Sequence, residues 1–159
     1  MTSSNSLRAT VIGLGWAGQQ HLKAYLALPD THVTAISDPN PTLLAQVKEE
    51  YGVENTFSDY REMLEWGKAD VVSVATPNFA HAEPAVDALE HGMHVLVEKP
   101  LARTYAEGLS MVTAAERGNR VLQVMFNQRF RPDVQVMKRF IDDGGLGSVY
   151  HGKSDRKST

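Results

Sequence analysis

Three glycines near the amino terminus have a spacing that could bind phosphate. Gly13, Gly15 and Gly18 form a G-x-G-x-x-G pattern directly after an apolar run and at the start of a helical segment. In such a turn the first glycine permits the tight bend, the second lets a pyrophosphate approach the backbone, and the third allows close packing of helix on strand. The N–H groups and dipole of the helix N-terminus then face the phosphates. The pattern predicts dinucleotide binding, and a purely structural glycine turn is the alternative.

A carboxylate that could bind a ribose follows the second apolar run. Asp38 lies 20 residues after Gly18, and an acidic residue at this point can accept both hydroxyls of an adenosine ribose. It would also repel a 2′-phosphate, and residues 36–41 contain no Arg or Lys that could bind one. The sequence therefore favours NAD over NADP. The alternative for Asp38 is a turn residue ahead of Pro39.

Polar residues that could line a ligand crevice follow the fourth apolar run. Thr76, Pro77 and Asn78 come directly after it, and His81 follows three residues later. Ligands of open α/β sheets bind at the carboxyl ends of the strands, which is where these residues fall. Ordinary turn chemistry for the first three, and a surface position in a first helical turn for His81, explain the residues equally well.

A lysine that could act as an acid or a base follows the fifth apolar run. Glu98 and Lys99 precede Pro100, which permits a cis peptide bond. A lysine there could donate a proton to a substrate hydroxyl or alkoxide, although an exposed Glu-Lys pair is more often solvated surface. Arg129 and Arg131 follow the sixth run and could face phosphate or substrate, with helix capping and surface pairing as alternatives.

Short β-branched runs alternate with helical segments and must position these residues. We predict strands at 9–12, 32–37, 55–57, 71–75, 94–97 and 120–125, with helices at 16–28, from 41, from 59, up to 92, 104–118 and 132–142. The strand runs show little polar alternation, as expected of strands covered by helices on both faces. The alternation predicts an α/β fold with a Rossmann-type, doubly wound, mostly parallel sheet. Its strand ends should bring the candidate residues together.

The chain divides into three predicted regions. Residues 1–6 are small and polar and are expected to be a disordered arm, residues 7–146 should form the dinucleotide-binding domain, and residues 147–159 should begin a truncated second domain with a strand at 147–154. That strand has no later partner in the sequence. Because an unpaired strand edge invites pairing with another chain, a homo-oligomer formed through it is an open alternative.

Composition excludes several classes of protein. Sixteen Lys and Arg against 19 Asp and Glu give a net charge of −3, which disfavours a nucleic-acid partner. The chain contains no cysteine, so disulfides, thiolate metal sites and cysteine nucleophiles are excluded. The six histidines show no metal-ligand spacing, and no Gly-x-Ser-x-Gly elbow is present. Without a signal-like start or a membrane-length apolar run, a cytoplasmic protein is predicted, with no membrane partner.

Together these motifs resemble the Gfo/Idh/MocA family, the relatives of glucose-fructose oxidoreductase and inositol dehydrogenase. The resemblance runs from Leu7 to about Gly152, and the Glu-Lys-Pro segment in its His-Val-Leu-Val setting is its most specific part. The matching segments are Val11–Gly18 with His21, Ser37–Pro39, Ala75–Asn78 with His81, Gly92–Ala102 and Asn127–Pro132.

The resemblance implies a role for each matching residue. The glycines would hold the pyrophosphate, Asp38 the adenosine ribose and Glu98 the nicotinamide ribose, while Lys99 would lie beside the nicotinamide and the reacting carbon. The expected cofactor-binding set is Gly13, Leu14, Gly15, Trp16, Ala17, Gly18, Asp38, Thr76, Pro77, Asn78, His81, Glu98, Lys99 and Arg129, with Lys99 also catalytic. The implied reaction is reversible hydride transfer between NAD(P) and a sugar or polyol hydroxyl.

One feature of the family is missing from the sequence. Family members continue into a second α/β domain, which forms the substrate pocket and usually contributes an Asp and a His that work with the lysine. Hydride transfer needs a positioned substrate as well as a cofactor. The 159 residues alone are therefore expected to lack turnover. A non-catalytic NAD-binding module and an inactive truncated product are the alternatives to an oxidoreductase.

Overall fold

Six parallel strands form a single sheet in the computed structural model, which describes residues 6–153. The strands are β1 (Leu7–Ile12), β2 (Thr31–Ser37), β3 (Asn55–Phe57), β4 (Val71–Val74), β5 (His94–Val97) and β6 (Leu122–Val124). Their order is β3-β2-β1-β4-β5-β6, so the chain reverses its direction of winding between β1 and β4. This is the order of a doubly wound Rossmann sheet, and the predicted fold class is confirmed.

Six α-helices within residues 6–153 alternate with the strands along the chain. Five of them start close to the predicted residues, and the fourth, for which the sequence predicts only an end near Gly92, ends at Glu90. They are α1 (Trp16–Ala27), α2 (Pro41–Tyr51), α3 (Tyr60–Trp66), α4 (Ala82–Glu90), α5 (Tyr105–Gly118) and α6 (Pro132–Asp142). The N-caps were readable from the sequence: the Asn40 side chain accepts from the N–H groups of Thr42 and Leu43, and Thr104 accepts from Glu107 N–H. Short 3₁₀ turns lie at Asn78–Ala80 and Asn127–Phe130.

Helices α1 to α5 cover both faces of the sheet and bury two separate apolar clusters. Val11 packs with Leu22 of α1 and Val47 of α2, whereas its neighbour Ile12 packs with the cluster that contains Met63 and Leu89. Adjacent strand residues point to opposite faces, so one strand supplies both clusters. Because helices pack on both faces, the strands are held in register, and their ends, which carry the candidate residues, lie along one edge of the sheet.

The chain divides into two compact units after Met125, earlier than the predicted boundary at 146. The predicted strand at 147–154 is wrong for residues 147–153, which form no strand. Gly144 and Gly147 have left-handed φ angles of 78° and 62°, and the Gly147 N–H donates to the Gly144 carbonyl, so the chain turns here. A strand also needs a neighbour to satisfy its backbone groups, and no strand pairs with 147–153 among the described residues.

The outer parts of two predictions cannot be compared with the structure. Residues 1–5 of the predicted polar arm and residues 154–159 of the predicted second domain lie outside the described residues. Self-association through the C-terminal strand stays a prediction, and residues 147–153 do not supply the strand that it requires.

Candidate cofactor site

The turns that carry the candidate residues are tied together at the carboxyl edge of the sheet. Gly13 N–H donates to the Ser37 carbonyl at 2.8 Å, and Ala75 N–H donates to the Ile12 carbonyl at 2.8 Å. Glu98 N–H continues the pattern by donating to the Val74 carbonyl at 2.9 Å. Backbone pairing thus extends one residue beyond the strands and fixes the start of three loops at the point where the strand order reverses.

Two glycines of the motif are required by the fold itself. Gly13 has a φ of 86°, and a Cβ on it would lie 2.8 Å from the Ala75 carbonyl oxygen. A Cβ on Gly18 would lie 1.8 Å from the Gly13 carbonyl oxygen, far inside van der Waals contact. Gly18 therefore lets α1 pack directly against the first turn, as the sequence predicted.

The middle glycine has no such structural reason. Gly15 is the N-cap residue of α1, with an ordinary φ of −61°. A Cβ built on it would meet no heavy atom within 4 Å. The turn leaves open space at the N-terminus of a 12-residue helix, whose first N–H groups lack intrahelical partners. This space suits an anionic group such as a pyrophosphate.

A cleft of about 840 Å³ lies along these loops. Its size is in the range of cofactor and small-molecule sites. The lining residues predicted from the sequence are Gly13, Gly15, Trp16, Ala17, Asp38, Thr76 and Pro77. The cleft therefore unites the glycine turn, the residue after β2 and the turn after β4.

Asp38 is buried and already holds two backbone groups. Its Oδ2 accepts from Leu14 N–H at 2.8 Å, and its Oδ1 accepts from Asn40 N–H at 2.8 Å. Each carboxylate oxygen can accept a further hydrogen bond, and Asp38 lines the cleft. Asp38 therefore does hold the turn, as the alternative proposed, and its carboxylate can still accept hydrogen bonds from ribose hydroxyls.

The residues between the glycines differ in what they present. The Leu14 side chain is fully buried in the core, and its N–H is taken by Asp38. Trp16 is 81% exposed and lines the cleft together with Ala17. Leu14 could thus contribute to cofactor binding only by shaping the loop, because its side chain points into the core.

The turn after β4 is held by side-chain hydrogen bonds. The Thr76 hydroxyl donates to the Ala80 carbonyl at 2.8 Å. His81 is buried, not on the surface, and its Nε2 lies 2.9 Å from the Thr76 carbonyl oxygen while Nδ1 lies 2.8 Å from that of Pro100. Its ring therefore bridges the turn after β4 and the turn after β5. Asn78 is exposed and begins a 3₁₀ turn.

Glu98 and Lys99 follow β5 in different environments. Glu98 is half-buried, with its Oε1 at 3.1 Å from His21 Nε2 and its Oε2 accepting from Lys99 N–H at 3.1 Å. The side chain of Lys99 is exposed, and the Lys99–Pro100 bond is cis, as the sequence permits. The carboxylate is thus fixed on both oxygens, whereas the amine faces solvent.

Arg129 belongs to the second unit, in the 3₁₀ turn Asn127–Phe130. Its guanidinium lies 4.8 Å from the centre of the Phe126 ring, and its carbonyl accepts from the Gln135 side chain. These contacts are local and hold the turn to the start of α6.

The structure adds cleft residues that the sequence reading missed. Tyr60 and Arg61, at the start of α3, line the cleft, as does the exposed Phe79. Burial and a 2.8 Å hydrogen bond to Asp87 raise the pKa of Tyr60 well above its usual range. These residues follow β3 and β4, so the rule that ligands bind at carboxyl strand ends could have found them.

The described residues show neither a metal cluster nor a membrane span. No three His, Asp or Glu side chains within residues 6–153 are grouped as metal ligands would be. None of the helices in that range combines the length and the apolar character that crossing a bilayer requires.

Comparison with known proteins gives a consistent family. Residues 7–126 match the model of the GFO_IDH_MocA oxidoreductase family, NAD-binding Rossmann fold. Levoglucosan dehydrogenase of Pseudarthrobacter phenanthrenivorans is 38% identical over 91% of this chain and 39% of its own length. D-glucoside 3-dehydrogenase of Escherichia coli is 36% identical over 94% of this chain and 43% of its own length.

Solved structures show the same similarity. The WlbA dehydrogenase of Bordetella pertussis, in complex with NADH and UDP-GlcNAcA, superposes with a TM-score of 0.88 at 29% identity over 93% of this chain and 43% of that one. A levoglucosan dehydrogenase complex with NADH and levoglucosan gives 0.84 at 38% identity, over 89% of this chain and 40% of that one. The chain belongs to the Gfo/Idh/MocA oxidoreductase family, and it carries the NAD-binding Rossmann domain of that family.

Proposed function

We propose that this chain is the cofactor-binding part of an NAD-dependent oxidoreductase that transfers hydride between nicotinamide and a sugar or polyol hydroxyl. The support for the substrate class is the similarity to levoglucosan and D-glucoside dehydrogenases. The chain spans about two fifths of the length of these curated relatives, 39% and 43%. The activity and substrate of the whole protein are therefore part of the proposal.

The observation that carries the proposal is the open space at Gly15. Neither the φ angle nor the packing at this residue requires glycine, so a ligand that needs close backbone approach explains its presence. The space adjoins the Asp38 carboxylate in one cleft. A helix N-terminus next to a carboxylate fits a ligand that joins a pyrophosphate to a ribose, as NAD does.

Residues that line the cleft, and others at the same strand ends that do not line it, would each hold a different part of the proposed ligand. Gly13, Gly15 and Gly18 would hold the pyrophosphate, and Asp38 would accept the adenosine ribose hydroxyls. Thr76 and the residues after it would line the middle of the site. Glu98 would accept from the nicotinamide ribose, with one lone pair left on each fixed oxygen. The proposed NAD preference follows from the negative charge of Asp38 where NADP carries a phosphate.

Lys99 is the proposed acid and base of the reaction. NAD supplies a hydride acceptor when it is bound, and the substrate hydroxyl must lose its proton as its carbon gives up hydride. The exposed side chain of Lys99, the residue after Glu98, would receive that proton on its neutral amine and return it from the resulting ammonium in the reverse direction. Its accessibility allows a substrate to approach it.

A calorimetric titration of the purified chain with NADH, paired with NADPH, tests cofactor binding. We expect binding in the micromolar range, about −8 kcal/mol, with NADH preferred. Binding of neither cofactor by a chain shown to be folded would contradict the proposal. Turnover is tested separately with polyol substrates, and we expect the 159 residues alone to show none.

A cytoplasmic location is also part of the proposal. Its support is the absence of cysteine from all 159 residues, which is compatible with a reducing compartment. Fractionation of the source cells tests it, and recovery of the protein outside the cytoplasm would contradict it.

A further inference from the structure

A line of hydrogen-bonded side chains runs from Tyr25 on α1 to Glu98 at the end of β5. The Tyr25 hydroxyl lies 2.8 Å from Ser73 Oγ, and Ser73 Oγ lies 3.0 Å from His21 Nδ1. His21 Nε2 lies 3.1 Å from Glu98 Oε1. Residues from α1, β4 and the end of β5 are thereby joined, and the proposed cofactor contacts use only Glu98.

We propose that His21 is a positioning residue that holds the Glu98 carboxylate in the orientation needed by the nicotinamide ribose. This inference rests on the proposed function, because the ribose contact of Glu98 is part of that proposal. His21 does not itself touch the ligand in this scheme. It acts through the carboxylate.

The donor and acceptor chemistry fixes the direction of the key hydrogen bond. An ionised carboxylate accepts and cannot donate, so the hydrogen between the two groups belongs to His21 Nε2. Glu98 Oε2 is held independently by Lys99 N–H. With both oxygens held, rotation of the carboxyl group would break one of the two hydrogen bonds.

Burial makes the imidazole a rigid support. His21 is 5% exposed and Ser73 is fully buried, so neither side chain can exchange its partner for water. Ser73 Oγ in turn contacts Tyr25, which burial makes harder to ionise, so the pKa of the phenol is raised. The far side of the ring is therefore anchored by two hydroxyl groups, that of Ser73 on β4 and, through it, that of Tyr25 on α1.

The position of His21 links the two ends of the proposed ligand site. His21 and Tyr25 are four residues apart on α1 and so share one face of that helix. The same helix begins beside Gly15, where the pyrophosphate would bind. A single rigid element thus sets both the phosphate site and the carboxylate on the nicotinamide side.

The test compares NADH with ADP, which lacks the nicotinamide ribose. His21→Phe keeps a planar ring and removes both hydrogen bonds. We expect its NADH affinity to fall roughly tenfold, the equivalent of one hydrogen bond to a charged group, with ADP affinity unchanged. His32→Phe, at an exposed histidine in β2, is the matched control and should change neither affinity.

Conservative variants separate positioning from stability. In His21→Gln the amide nitrogen can still donate to Glu98, so most of the lost NADH affinity should return. Ser73→Ala keeps the His21–Glu98 hydrogen bond and removes only its anchor, so we expect a smaller loss for NADH and none for ADP. If His21→Phe does not fold, these two variants still test the inference.

Three results would overturn the inference in a chain that still binds ligand. Equal losses for NADH and ADP, tracking the melting temperature, would show a purely structural role for His21. Unchanged NADH affinity in His21→Phe would show that Glu98 needs no support. If the wild-type chain binds ADP and Glu98→Gln leaves the NADH affinity unchanged, the proposed contact between Glu98 and the nicotinamide ribose would be refuted. Failure of the wild-type chain to bind either ligand would instead refute the proposed function, and this inference with it.

Discussion

Replacing Gly15 with alanine separates the ligand's requirement for glycine from that of the fold. The new methyl group meets no atom within 4 Å, and φ is already −61°. Alanine is a poorer N-cap residue than glycine, but it also reduces the entropy of the unfolded chain, so the free energy of unfolding should change by no more than about 1 kcal/mol. The methyl group would occupy the space proposed for the pyrophosphate. We expect NADH affinity to fall at least tenfold, or about 1.4 kcal/mol.

Gly18→Ala is the contrasting variant. Its Cβ would lie 1.8 Å from the Gly13 carbonyl oxygen, which is backbone and cannot rotate away. Forcing α1 outward should cost about 3 kcal/mol or more, which lowers the melting temperature by roughly 6–12 °C in a domain of this size. Thermal melting and NADH titration of both variants give the comparison.

The two variants should therefore fail in different assays. Gly15→Ala should melt within a few degrees of the wild-type chain and lose NADH binding, whereas Gly18→Ala should lose stability first. Full NADH affinity in a folded Gly15→Ala variant would refute the reasoning, because the open space would then have no ligand in it.

Three other residues give further predictions. Asp38→Ser should narrow the preference for NADH over NADPH and, because buried Leu14 N–H loses its acceptor, cost about 1–3 kcal/mol of stability; an unchanged cofactor ratio would mean that Asp38 does not contact the ribose. The Arg8 guanidinium lowers the pKa of Asp70, so this pair stabilises the fold above the unfolded pKa and loses its effect as pH falls through the lower folded value. Asp70→Asn should therefore cost about 1 kcal/mol or less at pH 7, and a cost that persists in acid after the Asp70 carboxyl of the folded chain is protonated would contradict this assignment. When a substrate domain is joined to the chain, Lys99→Ala should reduce turnover about 100-fold or more while NADH affinity persists; unchanged turnover would remove Lys99 from the mechanism.

The fold was predictable because its signals are local. β-branched runs such as 71–74 and caps such as Asn40 and Thr104 act over a few residues, so their elements form where the sequence places them. The predicted strand at 147–154 shows the limit of this reasoning. A β-prone run becomes a strand only beside a neighbour, and residues 147–153 have none in the described chain.

The candidate site was predictable in part for the same reason. The glycine turn directly follows β1 and Asp38 directly follows β2, and in the structure both line one cleft. Tyr60 and Arg61 were missed because their own segment reads as an ordinary helix start. Only the packing of α3 beside the cleft shows that these residues face it.

Local sequence patterns were enough to predict the order of the elements, the glycine turn and the family, because periodicity and motif spacing are properties of neighbouring residues. Tertiary structure decided which side chains work together. His21 and Glu98 are 77 residues apart and meet at 3.1 Å, and His81 bridges two turns that no local pattern connects. Gly15 has open space around it where Gly13 and Gly18 are crowded, and its φ angle differs from that of Gly13, neither of which the glycine spacing shows. Contacts of this kind form only because folding places the strands side by side in the order β2-β1-β4-β5. This order brings together residues that are far apart in the sequence.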